Sequence, residues 1–593
     1  MRTKKNKGVK IIKFLLTKIY ERLMNWRLIA FLATLTVVLN GTEETVPPLF
    51  QSSDFNTRYR PLSRSEVNDA RSQALELFYF GYNNYMTHAY PKDELDPIHC
   101  TGRGYDHANP DNININDVLG DYSLTLIDTL DTLATIGNVS EFHRAVRLVE
   151  NVNFNQNVTV QVFEATIRII GGLLSSHLII TNQNPWLGDF RMADYDGKLL
   201  SLSHELATRL LPAFDGSASG LPFPRVNLQS GVQMSAPQIN ETCTSGAGSL
   251  LLEFGILSRL VGDDIFERLA RRVNENKLWE RRNKKTGLLG HSIDVQTGEW
   301  LSAQSGLGAG VDSFLEILLK GYILFGNERD LDMYIQYDQS IQEHLRRGRA
   351  KCRFGHNGMP PFYANVDMRD GSIINTWIDA LQASYAGVKV LAGELDEAIC
   401  IHALYYAIWL KFSVIPERYN WHTKAPDVNF YPLRPEFVES TYLLFQATKA
   451  PFYRHVGIEI INSLNKYCKV NCGYATVHNV LDKTLEDRQE SFFLSETCKY
   501  LILLFDDENP VNRNYHNLLF STQAHIFPLL NEFHEPLEDI YASNLSSDHT
   551  KQQQLVYGYN ESCESPQRED RLGWTLNEFY MGQYLSAVGV SNF

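Results

Sequence analysis

The sequence predicts an all-α protein, and three observations carry that reading. Between about residues 64 and 528, apolar side chains recur at helical spacing in fourteen stretches. Strand-type alternation is sparse and confined to the joins, such as Gly287 to Val295 and Glu299 to Leu301. Short loops rich in Gly, Pro or Asn separate the stretches, with no linker among them. An even number of amphipathic helices without a linker predicts helix pairs that close into one toroid or stack as a solenoid. No self-similarity at about 34 or 40 residues is visible, which disfavours the standard helical repeats.

The first helix, 65–87, is set by Ala70, Ala74, Leu77, Phe78 and Tyr82. The same spacing predicts helices over 120–136, 140–152, 160–180, 197–212, 245–260 and 262–276. The eighth, 309–325, follows Gly306, Gly308 and Gly310; then come 328–348, 374–392 and 396–413. The twelfth, 435–448, opens on Pro435, which suits a first helical position. Helices over 451–468 and 487–505 complete the set. A length of 593 residues alone would suggest about four domains. The unbroken pattern reads instead as one body over 61–528. It follows a basic arm and linker (1–60) and precedes a polar, loosely ordered tail (529–593).

Apolar residues at 44% and charged residues at 21% exclude a disordered, collagen-like or disulfide-dense chain. The net charge of -14 argues against a nucleic-acid binder. It is unevenly spread: residues 1–27 hold nine Lys/Arg and one acid, so +8 there leaves -22 on the rest. Leu28 to Leu39 is uncharged, too short to span a bilayer comfortably yet suited to the core of a secretory signal. Bulky Val37, Val38 and Leu39 stand where a cleavage site wants small residues. The segment therefore reads as a cleaved signal or, preferably, a type II signal-anchor, with the body in the lumen and the membrane contacted only here. Six N-x-S/T sequons (Asn40, Asn138, Asn157, Asn240, Asn544, Asn560) agree with a lumenal body. The eight cysteines include no C-x-x-C pair, which weakens zinc-ribbon and thioredoxin readings.

Three acidic clusters are candidates for chemistry. In VQVFEATIRIIGG, Glu164 and Arg168 lie one turn apart among apolar residues, as an exposed ion pair or as a carboxylate in a shielded space. In SGLGAGVDSFLE, Asp312 opens a helix with Glu316 one turn on; it is a cap or an acid. Walker spacing is absent and acids have the wrong sign for phosphate. In YPLRPEFVES, Glu436 and Glu439 occupy a first helical turn beside Arg434, which could pair with either or bind a ligand hydroxyl. Further on, Glu490 and Glu496 flank Phe492-Phe493, and Thr522 stands in a short polar stretch. Acids entering a helical toroid from separate helices, with aromatics and arginines among them, suit hydrolysis of a neutral polyol.

These stretches resemble the class I α-mannosidases, glycoside hydrolase family 47, and within them the ER degradation-enhancing α-mannosidase-like branch. The carriers are FYFGYNNYMTHAYPKDELDPIHCTGRG (78–104), NINDVLGDYSLTLIDTLDTLA (114–134), VFEATIRIIGGLLS (162–175), NETCTSGAGSLLLEFGILSRL (240–260), QSGLGAGVDSF (304–314), FYPLRPEFVESTYLL (430–444) and ESFFLSETCKYL (490–501). The resemblance implies an (α/α)7 barrel with short β-hairpins at loops. It implies inverting removal of terminal α1,2-linked mannose from high-mannose N-glycans of misfolded glycoproteins in the endoplasmic reticulum, with a bound Ca²⁺. Glu164 and Asp312 match the family's catalytic acids, with the proton donor left open between them, and Glu436 matches the base that activates water. Thr522 matches the calcium ligand; Arg168, Arg434, Phe492 and Glu496 match the sugar-facing shell. The branch also suggests a Cys100–Cys472 bridge. There are departures: Gln523 stands where many members have Glu, Gly310 where processing enzymes carry Arg, and Ala383 where they carry a half-cystine. The alternative is a lectin-like receptor without turnover on the same fold. A third reading is a redox partnership, through Cys468 and Cys472, with a protein disulfide isomerase-type oxidoreductase.

Overall fold

Ser63 starts the first helix: its side chain accepts from the Glu66 amide while the Glu66 carboxylate takes the Ser63 amide at 2.8 Å, a capping box. This helix, α1 (Arg64–Asn84), opens the body of a computed structural model that describes residues 57–182, 186–350, 358–534 and 578–590. The arm and signal read over 1–56 lie outside the described residues.

Seven helices form an inner ring: α2 (Leu124–Asp128 continued by Leu130–Thr135), α4 (Val162–Thr181), α6 (Leu251–Val261), α8 (Asp312–Phe325), α10 (Tyr385–Leu391), α12 (Glu436–Thr448) and α14 (Cys498–Phe505). Each packs against the next, and the turn Phe493–Thr497 that leads into α14 packs against α2, so the ring closes. Outside it, α3 (Val139–Val149), α5 (Lys198–Leu210), α7 (Ile265–Arg272), α9 (Glu328–His344), α11 (Leu395–Phe412) and α13 (Pro451–Tyr467) each cover the inner helix before them. α1 covers α14 and supplies the seventh pair. The toroid, not the solenoid, is the architecture, an (α/α)7 barrel.

Composition assigns the rings. Inner helices are buried on every side and mostly apolar: Leu251 through Ser258 of α6 and Cys498 through Phe505 of α14 are all buried. Outer helices are one-faced; α7 buries Phe266, Glu267 and Ala270 and presents Arg268 and Arg272 outward. α4 is long and apolar enough to cross a membrane, but 89% of its apolar window is buried in the barrel, so it is a core helix. Short antiparallel strands line the loops. Thr159–Gln161, Glu241–Cys243 and Gln304–Ser305 run toward α4, α6 and α8, pairing with Arg225–Asn227, Ser292–Asp294 and Val366–Asp367.

Two stretches differ from the sequence reading. The start of the 374–392 segment is strand, Trp377–Asp379, because it pairs with Arg418–Asn420; helix begins only at Leu381. Within 529–593, Glu578–Val588 forms a further helix, α15, which packs on α11 and buries Met581, Tyr584, Leu585 and Val588. Lys411 donates to its last carbonyl, Val588 O, at 2.6 Å, a cation at a helix C-terminus. Cys100 and Cys472 form a disulfide, with Cα atoms 5.4 Å apart and a sequence separation of 372. A final hairpin, Leu518–Phe520 with Ile526–Pro528, enters the ring with its tip, Ser521–His525, among α2, α4, α8 and α14.

Candidate active site

Short connections make α3, α7, α9, α11 and α13 antiparallel to the inner helices they cover. All inner helices therefore run the same way, and their N-termini share one end of the barrel. Three place an acid in the first turn, where the helix dipole favours one: Glu164 is the third residue of α4, Asp312 the first of α8 and Glu436 the first of α12. Deeper side chains follow at steps of about 6 Å per turn. Arg168 lies below Glu164, Glu316 and then Lys320 below Asp312, Glu439 below Glu436, and Glu496 and Lys499 below Phe492.

Glu164 accepts from Arg168 Nε at 2.7 Å, and Arg168 is itself only 7% exposed, so the shielded reading of this pair holds. The Phe492 ring lies between two guanidiniums, Arg168 at 5.4 Å and Arg434 at 5.9 Å. Arg434 pairs with neither Glu436 nor Glu439; Glu417 holds it in a two-point contact at 2.6 and 2.5 Å. That partner is seventeen residues upstream on another loop, out of reach of a local sequence reading.

Asp312 accepts from Ser245 Oγ at 2.8 Å and from the Ser313 amide at 2.9 Å. Burial nevertheless pushes its carboxyl up to about 6, and the nearby Asp379 and Glu316 charges add to that. Glu436 is pushed up to about 7 by burial, against the pull of Arg434, and its Oε2 is sealed without a hydrogen-bond partner. Burial also raises Glu439 to about 8 and lifts Glu496 well above the carboxylate range, with Glu436 and Glu439 contributing to the latter.

At the floor, the Thr522 hydroxyl is buried and has no partner. Its neighbours on the hairpin tip are engaged: Lys320 donates to Ser521 O at 3.3 Å and Lys499 to Ala524 O at 2.7 Å. No group of three His, Cys, Asp or Glu that could hold a metal occurs among the described residues. A hard cation there would rely on the Thr522 hydroxyl and carbonyl, with ligand hydroxyls and waters completing its six to eight oxygens. The orphaned hydroxyl and the cluster of raised carboxyls fit that donor chemistry.

The departures have local causes. Gln523 donates its amide to Asp128 Oδ2 at 3.2 Å, a contact a glutamate could make only by taking up a proton. Gly310 has φ +85° and a Cβ there would sit 2.6 Å from His291, so this loop leaves no room for Arg. The Ala383 carbonyl accepts from Ser440 Oγ at 2.6 Å. Cys472 is used in the disulfide, and burial raises the free Cys468 thiol to about 12, so it is no nucleophile at neutral pH. Sequence reasoning missed Asp128, Asp131, His525, Glu253 and Lys499. The one signal for them was the Gly171-Gly172 pair in mid-helix, which has no reason to be there unless something packs flat against it.

The fold is a closed (α/α)7 barrel with acids at its mouth. The profile of glycosyl hydrolase family 47 matches residues 77–529, and the chain belongs to that family. It is 45% identical over 472 residues to "ER degradation-enhancing alpha-mannosidase-like protein 1" of Schizosaccharomyces pombe, covering 79% of this chain and 58% of that protein. It is 42% identical to "Alpha-mannosidase I MNS5" of Arabidopsis thaliana, over 80% of this chain and 79% of that one. The chain thus spans little more than half the length of the yeast relative. The solved α-1,2-mannosidase from Trichoderma reesei superposes with TM-score 0.68 at 22% identity, covering 78% of this chain and 99% of that one, and shares the fold.

Proposed function

We propose that this chain hydrolyses terminal α1,2-linked mannose from high-mannose N-glycans of misfolded glycoproteins in the endoplasmic reticulum, with inversion, so marking them for degradation. The observation that carries the proposal is the pair Asp312 and Glu436. These are two part-buried carboxyls at helix starts, pushed up to about 6 and about 7, and Glu436 feels the Asp312 charge. An inverting hydrolase needs one carboxyl that holds a proton near neutrality and another that can accept one from water. Asp312 or Glu164 supplies the proton to the glycosidic oxygen, and Arg168 holds Glu164 in place. Glu436, once ionised, takes the proton of the attacking water. Arg434, Phe492 and Glu496 wall the sugar and exclude solvent. The Thr522 hydroxyl and carbonyl would hold a Ca²⁺, which when bound would supply a Lewis acid for sugar hydroxyls. The names of the relatives support the pathway and the substrate class.

The test incubates purified protein with a high-mannose glycoprotein and Ca²⁺, following released mannose and its first-formed anomer by NMR. The expected product is β-mannose, with Glu164→Gln slower by about 10²–10⁴-fold. Absence of release, with the glycan still bound, overturns hydrolysis in favour of a lectin-like receptor. Release that Glu164→Gln leaves unchanged overturns the site.

A further inference from the structure

The barrel floor holds a buried charge cluster that the catalytic reading does not use. His525, at the end of the last hairpin's tip, is fully buried. Its Nε2 lies 3.3 Å from Asp128 Oδ1 and 3.2 Å from Arg168 O; its Nδ1 lies 3.3 Å from Asp131 Oδ2. Asp131 also accepts from Lys499 Nζ at 2.8 Å, Ser175 Oγ at 3.0 Å and the Ile526 amide at 3.1 Å. Asp128 accepts from Ser495 Oγ at 2.9 Å and from the Gln523 amide. Carboxylates on both sides keep the imidazole charged, raising it to about 9 against the cost of burial.

The second observation is the bed the ring lies on. A Cβ added at Gly171 would stand 2.6 Å from His525 Cδ2; one at Gly172 would stand 2.7 Å from Ile127 O and 3.2 Å from His525 Cε1. Glycine in mid-helix is destabilising relative to alanine, and here Gly171 lets the imidazole lie directly on the α4 backbone while Gly172 also admits the Ile127 carbonyl. The ring therefore ties the hairpin tip to α2 by charge and to α4 by contact. Three residues before it, the Thr522 hydroxyl is presented with no partner of its own.

We infer that His525, seated on Gly171-Gly172 and bridged to Asp128 and Asp131, is a positioning residue that fixes Thr522 at the floor of the sugar site in the geometry a hard cation requires. The inference rests on the calcium part of the proposed function. Outer partners of this kind change metal affinity by about 10–100-fold when removed.

The test titrates Ca²⁺ alone against the full chain, reading the Ca²⁺-dependent shift in melting temperature, with mannose release measured separately. His525→Gln removes the charge; Gly171→Ala keeps it but displaces the ring. Both are expected to retain the wild-type far-UV circular dichroism spectrum and to need about 10–100-fold more Ca²⁺ for half the shift. Ca²⁺ dependence within twofold of wild type in a folded variant overturns the inference. Failure of both variants to fold also overturns it, because the cluster is then a folding element only. Weakened Ca²⁺ binding in a chain whose wild type releases no mannose leaves this inference standing and overturns the hydrolase. Mannose release with unchanged Ca²⁺ dependence does the reverse.

Discussion

Replacing Glu436 with glutamine should make the protein more stable and inactive at once. Burial pushes the Glu436 carboxyl from its ordinary 4.5 up to about 7, and one of its oxygens has no partner. Between those two values the folded chain holds a proton that the unfolded chain has released, so stability falls as pH rises through the window. At about 1.4 kcal/mol per pKa unit the full penalty above pH 7 is about 3 kcal/mol. Glutamine has no proton to lose, so the advantage of Glu436→Gln grows from nothing near pH 4.5 to its full size above pH 7. With an unfolding entropy of about 2 cal/mol/K per residue, a barrel of roughly 470 residues gains about 1 °C per kcal/mol. The expected rise is thus about 2–3 °C at pH 8 and none at pH 4.5, measured by differential scanning calorimetry with a chelator present. Mannose release should fall by about 10²–10⁴-fold. A variant no more stable than wild type at pH 8, or one stabilised equally at both pH values, would refute the argument that Glu436 is held at a cost for chemistry.

Two further outcomes test the frame that holds the mouth together. Cys472→Ser opens the 372-residue loop closed by Cys100; the chain-entropy relation assigns such a loop about 6 kcal/mol, and a loss of about 2–5 kcal/mol in non-reducing denaturant unfolding is expected. A loss below about 1 kcal/mol would mean that the two ends are already held by packing. Lys499→Met leaves Asp131 and Asp128 to share the single cation His525 in a site that is fully buried, and should cost about 3–5 kcal/mol of stability by denaturant titration. An unchanged midpoint would show the cluster to be hydrated.

The ring was legible in the sequence because its helices differ in kind. α6 and α14 are mostly apolar and buried all round while α7 is one-faced, and short loops fixed most of the antiparallel pairing. The mouth was legible for the same reason: an acid in an otherwise apolar helix start, as at Glu164, is conspicuous. What could not be read was pairing at a distance. Arg434 stands next to Glu436 in sequence yet is held by Glu417. The floor comes from a hairpin nearly 400 residues from the α2 carboxylates it meets, and only the tertiary fold brings His525 to Asp128. α15 was missed because eleven helical residues follow a long polar stretch, and their apolar face is explained only by α11 beneath it.

The charges around the pocket narrow what it accepts. Each nearby cation has its own carboxylate: Arg168 has Glu164, Arg434 has Glu417, Lys320 has Glu316, and Lys499 and His525 share Asp131 and Asp128. Asp312, Glu436, Glu439, Glu496 and Glu253 form no ion pair among the described residues, and burial raises all five. Such an interior disfavours phosphate and carboxylate ligands and favours a neutral polyol, a hard cation, or both. It also keeps some of these carboxyls protonated at neutral pH while their neighbours ionise, which is the asymmetry that acid–base hydrolysis uses. Gln523 fits the same logic. A glutamate there would place another carboxyl against Asp128, whereas the amide donates to it and leaves the charge of the floor to Thr522's surroundings.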